Sequence, residues 1–308
     1  MKPRLHQSDS EMMCRMTPRV HVSDRVPSEV EQALAASFEI VPSVSDAEGV
    51  VAMLTVTVDD AYLEAAGPQL KIVANYAVGV NNIDLEAARR RGVIVSNTPD
   101  VLTRATAEIA LTLMLSLLRR VTEGDRFVRR QEPWQFSLEF MLGERLEGKT
   151  VLIVGSGRIG RETARLVEAF GATAILAGRD ADLDALLGEA DIVSLHVPLT
   201  AETRHLVDAR RLGLMKPTAV LINTARGPVV DESALADALR AGALAGAGLD
   251  VYEHEPDVNE RLLGLENVVL APHLGSATRD TRIAMGMLCV DALRAVLLES
   301  RTPANRVI

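Results

Sequence analysis

The sequence is poor in cysteine and has no apolar run long enough to span a membrane. Its 308 residues contain only Cys14 and Cys289. Two thiols are too few for a disulfide framework or a zinc cluster, so we expect a cytoplasmic protein without a bound metal. The most apolar segment, 109–118, is far too short for a bilayer about 30 Å thick and predicts a buried helix. The polar N-terminal residues lack the apolar stretch of a signal peptide.

An excess of positive charge is also absent. The formal net charge is -9 and the isoelectric point is about 5.3. Such a protein does not attract the phosphates of nucleic acids or an anionic membrane surface, so we expect neither as a partner. A few local arginines can still bind a small anionic substrate. The composition, 48% hydrophobic and 24% charged, is that of a soluble globular protein, and the length suggests two domains.

A glycine motif lies between an apolar run and an amphipathic segment over residues 150–171. The predicted order of strand, tight turn and helix explains why glycine is needed at each of three positions. Gly155 makes the sharp turn, Gly157 lets the backbone approach a pyrophosphate, and Gly160 lets the helix pack on the strand. The N-terminus of the helix then offers unpaired N–H groups to the phosphates. A bare glycine pattern could be an ordinary turn, but this context predicts a dinucleotide site.

Apolar runs alternate with amphipathic segments from residue 18 onward. This alternation with short links predicts parallel sheets covered by helices on both faces. The strands of the second series, from residue 150, are near-continuous apolar runs, which predicts burial on both faces. We therefore expect an α/β fold of two doubly wound parallel-sheet domains, 18–99 with 284–308 and 100–283, after a disordered or wrongly started extension over 1–17.

The segment 123–144 fits neither series and is rich in aromatic residues. It holds the only tryptophan, Trp134, together with three phenylalanines. A packed loop and an interaction arm between subunits both fit this composition.

Hydride transfer from a dinucleotide to a carbonyl needs a proton donor and a group that holds the substrate. Candidates should follow strands of the second series, because ligands bind at the carboxyl edge of such sheets. Arg226 follows the apolar run 220–223, and its guanidinium fork suits bidentate binding of a carboxylate. A surface arginine in a turn is the plainer alternative, and the strand-end position favours the binding role.

His273 follows the apolar run 268–271 in the same way. The ordinary pKa of histidine, about 6.5, suits a proton donor at neutral pH. A carboxylate partner would help such a histidine to stay protonated, and the segment 250–256 supplies candidates after another strand. Glu255 is preferred to Glu253 because Pro256 fixes the backbone behind it.

Taken in order, these segments resemble the D-isomer-specific 2-hydroxyacid dehydrogenases, most closely their glyoxylate/hydroxypyruvate reductase branch. The runs 75–84 and 97–103 are similar to the same family, and the resemblance extends from about residue 18 to the C-terminus. It implies a Rossmann-like cofactor domain, a flavodoxin-like substrate domain and a cleft between them. It also implies a homodimer formed through the cofactor domains, which suits the aromatic segment.

The resemblance further implies the role of individual residues. His273 would be the acid/base with Glu255 as its partner, and Arg226 would bind the substrate carboxylate and polarise the keto oxygen. The backbone of Val78 and Gly79 would hold the substrate carboxylate from the other domain, and Asp250 would meet the nicotinamide carboxamide. The implied cofactor-binding residues are Thr103, Gly155, Gly157, Arg158, Ile159, Gly160, Gly178, Arg179, Pro198, Thr203, Thr224, Ala225, Asp250, Gly275 and Ser276.

Two positions depart from the family pattern, and the second lies near the hinge expected at the Pro99 region. Asn81 stands where the family usually has aspartate, and Asp100 stands where it usually has glycine. The second departure adds a negative charge near the hinge.

The end of the second strand of the cofactor domain bears on the choice of nucleotide. An NAD enzyme needs an acidic group at the Gly178 position to bond the ribose hydroxyls, but here glycine is followed by Arg179. Loss of the carboxylate removes repulsion of a 2′-phosphate, and the arginine can bind one. NADP is therefore predicted over NAD. Asp180, Asp182 and the short chain before the next helix weigh against this choice.

The resulting hypothesis is the reduction of a small 2-keto acid, glyoxylate or hydroxypyruvate, by NADPH, with domain closure that excludes water. One alternative is an NAD-dependent enzyme acting on another 2-hydroxy acid. An alternative of another class is a nucleotide-sensing module like the transcriptional corepressors that share this fold.

Overall fold

The computed structural model describes residues 17–308. The extension predicted over 1–17 therefore lies outside the described residues, apart from Thr17. The chain divides into two units. Unit 1 contains the described residues up to Thr98 together with Ile283–Ile308, and unit 2 contains Pro99–Arg282. The predicted domain limits differ from these by one residue.

Unit 1 is built on a parallel sheet of five strands. Its elements are β1 (Arg19–Val22), α1 (Ser28–Ala35), β2 (Glu39–Val41), β3 (Gly49–Ala52), α2 (Asp60–Ala66), β4 (Ile72–Asn75), α3 (Leu85–Arg90) and β5 (Ile94–Ser96). The strand order is β2-β1-β3-β4-β5, which is the flavodoxin-like order. The end of the chain completes this unit: Leu293 packs against Gly49, and the Val307 N–H donates to the Val95 carbonyl at 2.7 Å.

Unit 2 is built on a parallel sheet of six strands in the order β11-β10-β9-β8-β6-β7. The strands are β6 (Thr150–Val154), β7 (Thr173–Ala177), β8 (Ile192–Leu195), β9 (Val220–Asn223), β10 (Gly246–Leu249) and β11 (Val268–Leu270). The helices are α4 (Thr103–Leu118), α5 (Val121–Arg129), α6 (Arg158–Ala169), α7 (Leu183–Glu189), α8 (Ala209–Leu212), α9 (Glu232–Arg240) and α10 (Glu260–Leu263). A last helix, α11 (Arg279–Leu297), begins in unit 2 and ends in unit 1. The two parallel-sheet α/β units confirm the predicted fold class.

The prediction that every strand of the second series is buried on both faces is wrong for β7. Thr173 and Leu176 are exposed, whereas β8, β9 and β10 are buried throughout. The reason is that β7 is an edge strand of this sheet. A full dinucleotide-binding sheet has one more strand beyond this position. Here only residues 178–182 separate β7 from α7, which is too little chain to form that strand.

Helix α4 is the buried helix predicted from the apolar segment 109–118. Ala110 and Met114 are fully buried, and Leu113 packs on β10 so closely that a Cβ at Gly248 would lie 2.9 Å from it. This helix therefore covers the side of the sheet formed by β9, β10 and β11. Within residues 17–308, no helix is both long and apolar enough to cross a membrane.

Helix α6 follows the glycine motif and packs beside α4. Thr163 and Val167 are buried as the helical pattern predicts, but Phe170 is 49% exposed. The helix ends at Ala169, so Phe170 no longer follows the helical face. Gly171 then adopts a φ of +82°, a left-handed conformation that terminates a helix.

The aromatic segment forms α5 and a long irregular stretch up to β6. Trp134 stacks on Phe140 with ring centroids 5.9 Å apart, and Phe127 meets Phe140 edge-on. Several apolar side chains nevertheless face outward, and Phe136 and Leu138 are 83% and 85% exposed. The segment is therefore not a packed loop within the part of the chain that the structure describes.

Candidate active site

The three polar residues predicted at strand ends follow three neighbouring strands of unit 2. Arg226, Glu255 and His273 come after β9, β10 and β11, which lie side by side and parallel. The register pairs Asn223 with Leu249 and Leu249 with Leu270, so the strands end at the same level. The segments that carry the guanidinium, the carboxylate and the imidazole therefore leave one edge of one sheet.

His273 and Glu255 form a hydrogen-bonded pair. The Nδ1 atom of His273 lies 2.7 Å from Oε2 of Glu255, and Oε1 of Glu255 accepts from the Tyr252 N–H at 3.0 Å. Burial alone would raise the pKa of Glu255, but the hydrogen bond to His273 and its charge lower it overall. Glu255 is therefore an ionised partner for the imidazole.

Asp250 holds the turn that carries His273. Its side chain is buried, and its two oxygens accept the N–H groups of Leu274 at 2.6 Å and Gly275 at 2.8 Å. Burial raises the pKa of Asp250, while these two hydrogen bonds oppose the shift. His273 has a φ of +54°, and its N–H donates to the Asp250 carbonyl at 2.9 Å. Since a positive φ is unfavourable for histidine, these bonds keep the imidazole in place. The implied contact of Asp250 with the nicotinamide stays a prediction.

Asn223, the last residue of β9, shapes the turn that carries Arg226. Its side chain accepts from the Ala225 N–H and donates to the Arg226 carbonyl, both at 3.0 Å. Burial lowers the pKa of the Arg226 guanidinium, and the negative charge of Glu255 opposes that shift. The guanidinium stays charged, and it is close enough to Glu255 for the two charges to interact. A Cβ at Gly227 would lie 1.8 Å from the backbone of Tyr252, so only glycine permits this approach.

Tyr252 and Glu232 secure the loop that carries Glu255. The Tyr252 hydroxyl donates to the Ala271 carbonyl at 2.9 Å and lies 3.3 Å from the Leu249 carbonyl, so it bridges the ends of β10 and β11. Burial raises the pKa of Tyr252 to about 12. Oε1 of Glu232 accepts from the Glu253 N–H at 2.6 Å, and burial raises the pKa of this carboxyl. Sequence reasoning missed both residues, although a tyrosine between acidic residues after a buried strand was visible.

The glycine motif has the local geometry that a pyrophosphate needs. Gly155 has a φ of +109°, and a Cβ there would lie 2.5 Å from the His196 carbonyl oxygen. A Cβ at Gly160 would lie 2.0 Å from the Gly155 oxygen, whereas a Cβ at Gly157 would meet nothing within 4 Å. No side chain of the described residues caps the N-terminus of α6. Open space above Gly157 and uncapped N–H groups fit the phosphates of a dinucleotide.

Other implied cofactor residues lie in the turns around this motif. The Thr203 hydroxyl donates to the Pro198 carbonyl at 2.6 Å and accepts from the Thr200 N–H at 2.8 Å, so it closes its own loop. The Thr224 hydroxyl is buried and lacks a hydrogen-bond partner within residues 17–308, as expected of a group that meets a ligand. The remaining ones stand at element ends: Thr103 starts α4, Arg158 and Ile159 start α6, Ala225 lies in the turn after β9, and Gly275 and Ser276 follow His273.

The residues after β7 occupy the position where the adenosine ribose is expected. A Cβ at Gly178 would lie 3.6 Å from the Ser156 hydroxyl, which places Gly178 beside the glycine motif. Arg179 is exposed, and after a hydrogen bond from Thr200 and one from the backbone its positive charge helps to lower the pKa of Glu202. Asp182 accepts from the Ala185 N–H at 3.2 Å and so caps α7 instead of entering the nucleotide site.

Val78 and Gly79 follow β4 in unit 1. The Asn97 side chain donates to the Val78 carbonyl and the Asn75 side chain donates to the Gly79 carbonyl, both at 2.8 Å. These two amides fix the loop after β4, and sequence reasoning missed them. The implied role of Val78 and Gly79 in substrate binding stays a prediction.

Besides His273, unit 2 contains His196, His205 and His254, and the first two contact polar side chains. Burial lowers the pKa of His196 to about 4, so this ring, next to the Ser194 hydroxyl at 2.8 Å, is neutral. Nε2 of His205 lies 2.6 Å from Oε1 of Glu253, a second histidine–glutamate pair that the sequence did not reveal. No group of three or more metal-ligating side chains is assembled within residues 17–308.

Comparison with known proteins gives consistent matches. The family model described as D-isomer specific 2-hydroxyacid dehydrogenase, NAD binding domain, matches residues 111–275. A glyoxylate reductase of Thermococcus litoralis is 43% identical over 95% of this chain and 97% of its own length. One from Pyrococcus furiosus is 44% identical over 89% of this chain and 90% of its own length.

The solved structures that are similar to this chain belong to the same kind of protein or share its fold. A protein of Thermus thermophilus superposes with a TM-score of 0.87 at 40% identity, covering 94% of this chain and 100% of that one. An NADPH-dependent glyoxylate/hydroxypyruvate reductase of Sinorhizobium meliloti, in complex with NADP and malonate, gives a TM-score of 0.83 at 35% identity. That match covers 94% of this chain and 97% of the other.

Proposed function

Because this chain belongs to the D-isomer specific 2-hydroxyacid dehydrogenases and is an NAD(P)-dependent oxidoreductase acting on CH–OH groups, we propose that it reduces glyoxylate or hydroxypyruvate with NADPH. The observation that carries the proposal is the His273–Glu255 pair, which follows strands adjacent to the one that precedes Arg226. These are the proton donor, its anionic partner and the carboxylate-binding cation that such a reduction requires.

The chemistry divides among these groups. The glycine motif and the turns around it would hold the dinucleotide, whose nicotinamide would supply the hydride for the carbonyl carbon. Nδ1 of His273 is engaged by Glu255, so Nε2 is the atom that gives a proton to the forming alkoxide. Arg226 binds the substrate carboxylate and stabilises negative charge on the carbonyl oxygen. Because Glu255 is ionised, it stabilises the imidazolium before the proton is transferred.

NADPH is proposed over NADH on the residues after β7. Gly178 supplies no carboxylate to bond a ribose 2′-hydroxyl, and the exposed Arg179 can bind a 2′-phosphate. Of the two acidic residues that weigh against NADPH, Asp182 is engaged as the cap of α7, whereas Asp180 is exposed next to Arg179. The Sinorhizobium meliloti relative, which is NADPH-dependent, supports the same choice.

Glyoxylate or hydroxypyruvate is proposed as the substrate because several relatives of this chain are glyoxylate reductases and one solved relative is a glyoxylate/hydroxypyruvate reductase. The Thermococcus litoralis and Pyrococcus furiosus relatives are glyoxylate reductases, at 43% and 44% identity. Both acids carry a carboxylate next to a carbonyl, which one guanidinium can hold and polarise together.

A substrate panel with both cofactors tests the function. Purified protein is assayed with glyoxylate, hydroxypyruvate, pyruvate and 2-oxoglutarate, each with NADPH and NADH, alongside Arg179→Ala. We expect kcat/KM to be highest for glyoxylate or hydroxypyruvate with NADPH. Arg179→Ala should reduce the preference for NADPH by raising the KM for NADPH while the KM for NADH stays the same. A preference for NADH that Arg179→Ala leaves unchanged contradicts the cofactor proposal. Tight nucleotide binding without turnover of any acid contradicts the enzymatic proposal and favours a sensor.

We further propose that the protein forms a homodimer through unit 2, with the segment 123–144 as the interacting arm. Trp134, Phe136, Leu138 and Leu142 are all more than half exposed, and such a group of apolar side chains is unusual on a monomer. Size-exclusion chromatography with light scattering should give a molar mass twice that of one chain. The double variant Phe136→Glu with Leu138→Glu should give a monomer that keeps its circular dichroism spectrum, whereas a wild-type monomer would refute the proposal.

A further inference from the structure

Asp100 lies beside the start of the helix that follows the glycine motif. Its Oδ1 is 2.6 Å from Nε of Arg158, the first residue of α6. Arg158 follows directly on Gly157, above which the space is open. The guanidinium expected near the cofactor phosphates is therefore already bound to a carboxylate.

The backbone at Asp100 supports a specific role for this carboxylate. Its φ is +71°, a conformation that glycine adopts freely and that few other residues tolerate, aspartate among them. Both partners are well exposed, at 69% for Arg158 and 63% for Asp100, so the ion pair is weak and open to exchange. A nearby phosphate, with more negative charge than a carboxylate, can replace it.

We propose that Asp100 is an internal competitor for Arg158, so that binding of the dinucleotide exchanges the Asp100 carboxylate for a pyrophosphate oxygen. The inference rests on the dinucleotide binding described above and adds a residue that sets its strength. In this arrangement Asp100 weakens nucleotide affinity and favours release. It also keeps the Arg158 side chain beside the site while no nucleotide is bound.

Asp100→Asn is the substitution that isolates the charge. Asparagine tolerates the left-handed conformation as well as aspartate does, so the backbone is kept while the carboxylate is lost. A matched control is Glu147→Gln, which removes one negative charge from another exposed ion pair, with Arg145 at 3.0 Å. Glu147 precedes β6, whereas the glycine motif follows it, so the control lies at the other end of that strand.

The experiment measures the dissociation constant of NADPH on nucleotide-free protein, from the change in NADPH fluorescence, at low and high salt. Asp100→Asn should tighten binding about two- to five-fold at low salt, the range expected for one exposed ion pair. The gain should shrink in 0.5 M salt (roughly 4 Å screening length). Glu147→Gln should leave the constant unchanged. Unchanged or weaker binding by Asp100→Asn overturns the proposal.

A double-mutant comparison separates competition from simple charge repulsion. Arg158→Gln should weaken NADPH binding, and Asp100→Asn in that background should give little further change, because no guanidinium is left to release. A gain that persists in full would mean repulsion alone and would overturn the competition. Failure of the wild-type protein to bind NADPH or NADH would instead refute the proposed function, so the two failures are distinct.

Discussion

The Nδ1 atom of His273 lies 2.7 Å from Oε2 of Glu255. This contact decides which ring nitrogen serves the substrate, because an imidazole engaged at Nδ1 has only Nε2 left to donate. The partner carboxylate is in turn fixed by the Tyr252 N–H. A proton donor whose orientation is set from both sides needs little rearrangement when the substrate binds.

Replacement of the imidazole tests its role most directly. His273→Ala should lower kcat by about 10²-fold or more, since general acid catalysis contributes at least that much. The dissociation constant of NADPH should stay within about two-fold of the wild-type value. A variant that keeps full activity would show that His273 is not the proton donor.

Loss of the partner charge should slow the reaction without weakening cofactor binding. Glu255→Gln keeps the size of the side chain but removes the negative charge that faces Nδ1 of His273, so kcat should fall about ten-fold or more. The dissociation constant of NADPH, measured beside kcat, should stay near the wild-type value. A variant with the kcat of the wild type would contradict the role of Glu255 as the partner of the imidazole.

The guanidinium fork of Arg226 predicts a loss that lysine cannot repair. Arg226→Lys keeps the positive charge but not the bidentate geometry, so kcat/KM should fall about 10²-fold. Arg204→Lys, at an exposed arginine of the same unit, is the control and should have no effect. Equal activity of the two variants would contradict the assigned role.

Gly157 offers a test in which stability and binding should separate. A methyl group there meets no protein atom within 4 Å, so Gly157→Ala should leave the melting temperature within about 1 °C. The methyl group would occupy the space that the pyrophosphate needs, so NADPH affinity should fall about ten-fold or more. Gly264→Ala, also in open space, should change neither quantity. Undiminished NADPH affinity would place the phosphates elsewhere.

Glu162 joins α6 to α4 and should make stability depend on pH. Hydrogen bonds from Arg165 and Arg104 lower the pKa of Glu162 to about 2 from 4.5. A carboxyl with a lowered pKa stabilises the fold above its unfolded pKa, and this stabilisation is lost as the pH falls from 4.5 towards 2. Urea unfolding at pH 6 and pH 3.5 should therefore show a smaller difference for Glu162→Gln than for wild type. Glu168→Gln serves as the exposed control on the same helix.

The sequence predicted the parts of this protein that depend on local pattern. Apolar runs located the strands, and the rule that ligands meet the carboxyl ends of parallel strands brought Arg226, Glu255 and His273 together. The resemblance of several segments identified the family, which the comparisons confirm. The NADP preference, the site roles and the homodimer stay predictions.

What the sequence could not predict depends on contacts between distant segments. Asp250 binds the amides 24 and 25 residues further along, and the local pattern of neither segment predicts these bonds. The contact of Arg158 with Asp100 likewise requires two turns to meet in space. β7 is exposed because the strand that would lie beyond it is missing. An apolar run has the same sequence pattern in an edge strand as in a central strand, so the sequence could not predict this exposure.

Unit 1 is assembled from both ends of the chain, while unit 2 is continuous. On the ribosome, β1 to β5 emerge first, but Leu293, which packs on Gly49, and Val307, which bonds to Val95, emerge last. At elongation rates of about 5–20 residues per second, the intervening unit takes roughly ten to forty seconds to synthesise. The first sheet must wait that long for its final helix, so its nascent form exposes an apolar face that chaperones can bind.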